Sequence, residues 1–495
     1  MPLKLASKTQ VSGHFFVRRR LAFALARRSV RMDFNPAQMQ RTLLVVSAII
    51  GATAVVGALA LGWLRPTGTV GESKIVADRK LGTLYVKVGD RLHPALNLVS
   101  AQLIAGQPDA PVFVSSDDIA KQPMGPAVGI IGAPVERPAV QSPDVVRWAV
   151  CDTASGTIGG EPVITGIDGA LTFGSVAAPV GVGDGVLLSY DHQAYLVNGG
   201  MRMPVDLGNG VITSALGIAS TAQPVPMSRA LFDALPAGGP VVVPVVPNAG
   251  APGRPELGPG VVVGAVVASH DVSSNTDKFY VAIGDGVQEI SPVVASMLRQ
   301  TNSFGFAVPP KVSPDRLAHI PVRHLLDVDY YPKSPLRIVD SASQPVTCMA
   351  YRWGISERQA QLSVVSGRAL PITSEQQSRL IPLVGGGTNG VQANQVLLSE
   401  DASTFVNTTG DAIDSPARET LWLISSAGAR YGVPFDKENL KALGLNEGQV
   451  RPAPWAMLQV WPSGPELSQA AAATVHDSAD GAAAPVATAG PTASR

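Results

Sequence analysis

No Gly-Lys dipeptide occurs anywhere in this 495-residue chain. That excludes the G-x-x-x-x-G-K-[ST] loop, in which glycine amides wrap a phosphate while Lys neutralises its charge. G-x-S-x-G is missing as well, so no serine nucleophile elbow has a candidate. Histidines number 7, and only His319 and His324 lie close together, in HIPVRH, without the i, i+4 spacing or the Glu of a zinc protease helix. They read as surface or module-edge residues. Asp117-Asp118 and Asp327-Val-Asp329 follow no calcium-loop spacing and read as solvated acids. Gly385 to Gly390 (GGGTNG) has the glycines of a phosphate cradle but no Lys, and reads as a loop. No catalytic residue, metal site or cofactor is expected.

Glycine and proline, in contrast, are abundant at 50 and 41. Residues that interrupt regular structure on this scale argue against long helical bundles, while 45% hydrophobic residues exclude wholesale disorder. The zero net charge hides a division: residues 1–41 hold nine Lys/Arg against the single Asp33, and the remainder carries 29 basic and 37 acidic residues. The two ends therefore meet different surroundings.

The segment between them explains the division. Thr42 to Leu64 contains no charged residue, and its length suffices to cross a bilayer as a helix. A cleavable signal peptide has a shorter apolar core nearer its start, so residues 42–64 read as an uncleaved anchor. The positive-inside bias keeps residues 1–41 in the cytoplasm and exports everything after Arg65. Export gives Cys151 and Cys348, the only cysteines, an oxidising compartment and an expected disulfide, with two buried free thiols as the alternative.

The exported part, residues 65–467, carries a weak repeat. An aromatic residue opens a short apolar strand, a Gly turn follows, then a Pro and a short helical pattern. Two units match each other: Tyr85, Gly89, Pro94 and Tyr195, Gly199, Pro204. A second matched pair is Tyr280, Gly286, Pro292 and Trp422, Gly428, Pro434. Second helices and Pro/Gly turns follow in MSRALFDALPAGGP, SPDRLAHIP and APWAMLQVWPSGP. Runs at Val145 to Cys151, Gly260 to Ser269, Ser363 to Ile372 and Val391 to Ser399 read as strands of a connecting β region. The expected fold is α+β: one transmembrane helix, then an elongated exported body of four small α+β modules around a central β domain. Residues 468–495, rich in Ala and Pro, are expected to be a disordered tail.

Before the span lies a basic segment, SGHFFVRRRLAFALARRSVRMDFNP. On a helix, Phe16, Phe23, Val30 and Phe34 fall along one stripe with Arg20, Arg27 and Arg31 beside it, and Pro36 is expected to end the helix. Such a segment either sets topology against anionic lipid or docks a cytoplasmic partner through Phe16, Arg20, Phe23, Arg27 and Arg31. It is too short and too tethered for nucleic-acid binding to be the expectation.

These blocks together carry a family resemblance. QVSGHFF, RRR and ALARRSVRM before one span, then GTLYVKVGDRLHPALNLVSAQLIAG, GPAVGIIGAP, WAVCD, a late Cys, LWLISSAGARYGVP and APWAMLQVWPSGPELSQAA, recur in the order of the EccB family. The chain resembles this family, the membrane component B of type VII (ESX) protein secretion systems of mycobacteria and relatives, from about residue 10 to 472. The resemblance implies a single-pass core subunit of an inner-membrane complex, its body periplasmic and disulfide-bonded. It further implies oligomers and four partners: the FtsK/SpoIIIE-type ATPase EccC, the multi-span EccD, the further membrane subunit EccE and a subtilisin-like mycosin protease. Some family members carry an ATPase label. ATP hydrolysis is thus an alternative function, for which this sequence offers no phosphate loop, and peptidoglycan binding is a second alternative.

Overall fold

The computed structural model describes residues 7–28, 36–63, 70–71, 73–156, 160–271, 273, 275–387, 389–410 and 420–476. The chain divides into an N-terminal unit, Met1–Gly71 with Phe113–Ser115, and a body formed by the rest.

The N-terminal unit holds two helices. The first, Lys8–Arg27, starts at Ser7, whose hydroxyl accepts from the Gln10 N–H while the Gln10 side chain takes the Ser7 N–H. It ends with Arg28 at φ 52°, in the left-handed region. Pro36 does not end this helix; it opens the second, Pro36–Trp63, in the first turn, where a missing N–H breaks no helical bond. Val30, Arg31 and Phe34 lie outside the described residues. Met39–Ala60 is apolar enough to cross a membrane, and none of it is buried.

In the body the four repeats become four modules with one plan: a three-stranded antiparallel meander, a helix, and a short second helix. Module 1 has strands Ile75–Asp78, Leu84–Val88 and Arg91–Pro94 and helices Leu98–Ala105 and Ser116–Ile119. Module 2 has Asp184–Tyr190, Gln193–Asn198 and Met201–Pro204, then Gly210–Leu216 and Arg229–Ala234. Module 3 has Val266–Asp271, Thr276–Ile283 and Gly286–Ile290, then Pro292–Thr301 and Pro314–Leu317. Module 4 has Phe405–Thr409, Leu421–Ile424 and Arg430–Val433, then Lys437–Ala442 and Trp455–Leu458. The aromatics Tyr85, Tyr195, Tyr280 and Trp422 each sit on the middle strand. Asn97, Asn209, Ser291 and Asp436 cap the four first helices by accepting a backbone N–H.

Gly89, Gly199 and Gly428 lie in the expected hairpin turns at φ 63°, 60° and 78°. Gly286 does not: the module 3 turn is Gly284-Asp285, and Gly286 opens the third strand, where a Cβ would collide with the Pro321 carbonyl. The tight spot is part of a fourfold device. In every module one third-strand residue exchanges two backbone bonds with a Pro-x-x segment after the second helix. Leu92 accepts from Gly125 and donates to Pro123, both at 2.9 Å. Arg202 does so with Gly238 and Pro236, Val287 with Arg323 and Pro321, and Arg430 with Gly464 and Pro462, at 2.8 and 2.9 Å in each case. Each third strand is thereby closed at its outer edge, which removes an exposed ladder of hydrogen-bonding groups.

Between the modules runs a seven-stranded sheet in the order Ile381–Pro382, Gln395–Leu398, Val163–Asp168, Val145–Thr153, Val346–Gly354, Gln361–Gly367, Ala177–Pro179. Three of the four expected runs contribute to it. Gly260 to Ser269 does not, because its strand, Val266–Asp271, is the first of module 3. One face of the sheet, with Trp148, Val150, Met349 and Val364, packs on the second helices of modules 2 and 4, which also touch each other. The Trp148 and Trp461 rings meet there edge to face at 6.0 Å. The opposite face, with Ala149, Cys151, Cys348 and Val365, is covered by Leu171, Leu370, Ile372 and Leu380. Module 3 packs on module 2 through their first helices, and module 1 on module 4 in the same way.

The C-terminal boundary also moves. Ser468 caps a helix, Gln469–Ala472, with Ala472 fully buried beside Leu103 and Leu440, and Val475–His476 pairs with Val128 and Ala127 of module 1. The buried residue here is an alanine, so the order leaves no mark in the pattern of large apolar side chains. Residues 477–495 lie outside the described residues.

Candidate functional surfaces

Of the five proposed docking residues, Phe16, Arg20 and Phe23 share the first helix. Phe16 is 55% exposed, Arg20 exposed and Phe23 partly covered. Phe16 and Phe23 stand two turns apart, about 10 Å along the axis. Apolar side chains are not confined to their stripe: Phe15, Val17, Leu21 and Leu25 are exposed around the same helix. Arg27 ends the helix, and Arg31 lies outside the described residues.

Cys151 and Cys348 form a disulfide, with Cα atoms 3.9 Å apart on directly opposed positions of adjacent antiparallel strands. Neither is exposed. The bond crosses 197 residues of sequence, a stretch that contains modules 2 and 3 entirely, and joins the fourth and fifth strands of the seven-stranded central sheet.

Two buried acids on that sheet fasten modules 2 and 4, and sequence reasoning missed both. Asp152 accepts the Ser228 N–H at 2.6 Å and the Ser228 hydroxyl at 2.8 Å, holding the start of module 2's second helix. Burial pushes its carboxyl up to about 7, with the Ser228 bonds pulling the other way. Asp168 receives the Ser403 N–H on both carboxyl oxygens, at 3.0 and 2.9 Å, just before module 4 begins. Burial raises it well above the ordinary carboxylate range, Ser403 opposes, and the nearby Asp401 adds to the rise. Asp401 in turn pairs with Arg147 at 3.2 Å. The available signal was an acid inside an otherwise apolar strand, as in WAVCD.

Modules 2 and 4 share a second device. The Arg430 guanidinium lies 4.3 Å from the Trp422 ring centre and 4.9 Å from that of Trp455, and its Nε donates to the Trp461 carbonyl at 3.0 Å. Burial lowers its pKa to about 10. Arg202 lies 3.6 Å from Phe232 and 5.9 Å from Tyr195, and its Nε donates to the Phe232 carbonyl. In both modules the Arg from the third strand ties the aromatic of the middle strand to the aromatic of the second helix.

The glycine loop is turned inward. The amides of Gly386, Gly387 and Gly390 donate to Leu383, Gln392 and Gly387 carbonyls, and the Gly390 carbonyl accepts from Ala230 of module 2. His319, His324, Asp327 and Asp329 are exposed, and Asp118 pairs with Lys121. Among the described residues no cluster of three or more His, Cys, Asp or Glu could hold a metal ion.

Residues 3–480 match the family model described as "Type VII secretion system ESX-1, transport TM domain B". Similar curated proteins include, from Mycobacterium tuberculosis, "ESX-2 secretion system ATPase EccB2", 41% identical with 96% of each chain covered. "ESX-5 secretion system ATPase EccB5" of the same species is also 41% identical, over 96% of this chain and 94% of that one. Among solved structures, a chain of an intact ESX-5 inner membrane complex is 39% identical, with a TM-score of 0.75 and 97% of both chains covered. EccB3, solved as a dimer from the ESX-3 core complex, is 37% identical with a TM-score of 0.71, covering 81% of this chain and 99% of that one. A family model matched over nearly the whole length, relatives 41% identical over 96% of the chain and a solved chain alike over 97% of it agree: this chain belongs to the EccB family of type VII (ESX) secretion proteins.

Proposed function

We propose that the chain is a structural core subunit of an ESX complex in the bacterial inner membrane. Its N-terminus lies in the cytoplasm, and its modular body scaffolds the periplasmic part. The observation that carries this reading is the likeness, span included, to a chain of an intact ESX-5 inner membrane complex. Orientation is supported by the nine Lys/Arg before the span and by a disulfide that persists in an oxidising compartment. The relative solved as a dimer supports more than one copy per assembly. The partners are EccC, EccD, EccE and a mycosin, and the first helix docks one of the cytoplasmic ones through Phe16, Arg20, Phe23, Arg27 and Arg31.

Replacing Phe16 and Phe23 by Ser while keeping every Arg separates docking from topology. Orientation follows Lys/Arg placement and stays normal, whereas losing two apolar anchors costs on the order of 3 kcal/mol of binding, a hundredfold or more. Normal orientation of a tag at residue 70 with loss of co-purifying subunits supports docking; full recovery of the subunits refutes it. The relatives' names favour one other reading, ATP hydrolysis. Turnover by the purified chain above a heat-inactivated control would support it, and turnover equal to the control supports the scaffold.

A further inference from the structure

Beneath module 2, the central sheet carries a row of buried polar side chains. Asp152 stands opposite Thr347, and Thr347 opposite Ser366, on three successive strands. Strand alternation turns all three to the module-facing side, the side of Val150, Met349 and Val364. None is more than 6% exposed. An apolar junction would need no such row, since each buried polar group there costs free energy unless it is paired. Ser228, the cap of module 2's second helix, meets the row at Asp152, and its own hydroxyl accepts from the Leu231 N–H at 3.0 Å. At the other end the Ser366 hydroxyl has no hydrogen-bond partner. A cleft opens at each end of the row. One is lined by Ile164, Glu161, Tyr190, Ser228 and Arg229, the other by Ala178, Asp184, Arg337, Asp340 and Ser366.

The charges around Asp152 leave it uncompensated. Its neighbours across the sheet, Ile164 and Thr347, are uncharged. On the helix above, Arg229 pairs with Asp233 at 3.5 Å. In the far cleft Arg337 pairs with Asp184 at 2.6 Å, leaving Asp340, and in the near cleft stand Glu161 and Tyr190. Among the described residues only Ser228 bonds the Asp152 carboxyl.

We propose that this row is a proton-dependent latch: protonated Asp152 holds the start of module 2's second helix on the central sheet, and loss of the proton loosens that junction. The two Ser228 bonds favour the carboxylate, but full burial with no cation beside it outweighs them and favours the neutral acid, consistent with a carboxyl held up at about 7. Opening the junction returns the group to water and to its ordinary range near 3.8. The open form therefore gives up its proton first, so opening becomes easier as pH rises from about 4 to about 7 and no easier beyond.

Hydrogen exchange of the detergent-solubilised full chain tests this. After correction for intrinsic exchange, protection of the Ala230 and Phe232 amides, which donate to the Gly390 and Ser228 carbonyls and keep those acceptors in every variant, should fall by at least about tenfold between about pH 5 and about pH 7.5. Asp152→Asn should flatten the profile. Ser228→Ala, which strips a donor from the carboxylate, should steepen it. Protection independent of pH in the parent, or the same decline in Asp152→Asn, overturns the latch. If the Asn variant does not fold, an unchanged profile in Ser228→Ala overturns it as well.

Discussion

Arg202 in module 2 and Arg430 in module 4 occupy equivalent places, each locked by its backbone to a Pro-x-Gly segment and each seated against the aromatics of its own module's middle strand and second helix. Arg430 is 8% exposed, and no ion pair among the described residues includes it. Arg430→Ala removes packing from two Trp rings and leaves the Trp461 carbonyl without its donor. A loss of about 2 to 3 kcal/mol is expected. Arg202, less buried, should cost less. Urea midpoints followed by tryptophan fluorescence rank the two, and equal or reversed effects would break the equivalence.

The Pro-x-x closure predicts where glycine is obligatory. A Cβ at Gly125 would run into the His93 ring and one at Gly464 into the Tyr431 ring, so Ala at either should cost about 1 to 3 kcal/mol. Arg323 takes the same backbone place in module 3 and is exposed, so Arg323→Ala should change the midpoint little. Thermal unfolding of the three variants decides.

The disulfide links strands already paired, and its removal acts mainly on the unfolded chain. The double Cys151→Ala, Cys348→Ala variant should fold and lose roughly 2 to 5 kcal/mol. Both thiols should resist alkylation in the native protein until the bond is reduced under denaturing conditions. Two thiols that alkylate without reduction would contradict the bridge.

At the C-terminus, removal of residues 477–495 should leave the unfolding midpoint unchanged. Removal of residues 473–495 should lower it, because it takes the Thr474 carbonyl from Gly129, Val475 from Val128 and the His476 ring from the Gly129 carbonyl. Equal midpoints would show that this strand contributes nothing.

What the sequence made legible were local signals. An aromatic strand followed by a Gly turn is written in a few consecutive residues, so Tyr85, Tyr195, Tyr280 and Trp422 marked four true middle strands. The span and its flanking arginines are equally local. Long-range partnerships were not legible: nothing near Asp152 in sequence names Ser228, and nothing near Leu92 names Pro123. The Cys348 strand, Val346–Gly354, escaped notice because it is buried on both faces and shows no clean alternation. The Gly286 reading failed because Gly284 and Gly286 both fit a turn, and only the contact with Pro321 tells them apart.

The mass of the native assembly, extracted in detergent from its own membranes through a tag on this chain, tests its place in a secretion complex most directly. A particle containing several copies of the chain together with other ESX membrane subunits in fixed ratio is the predicted result. Recovery of the chain alone, as a monomer with no co-purifying membrane subunit under conditions that keep other membrane complexes intact, would contradict it.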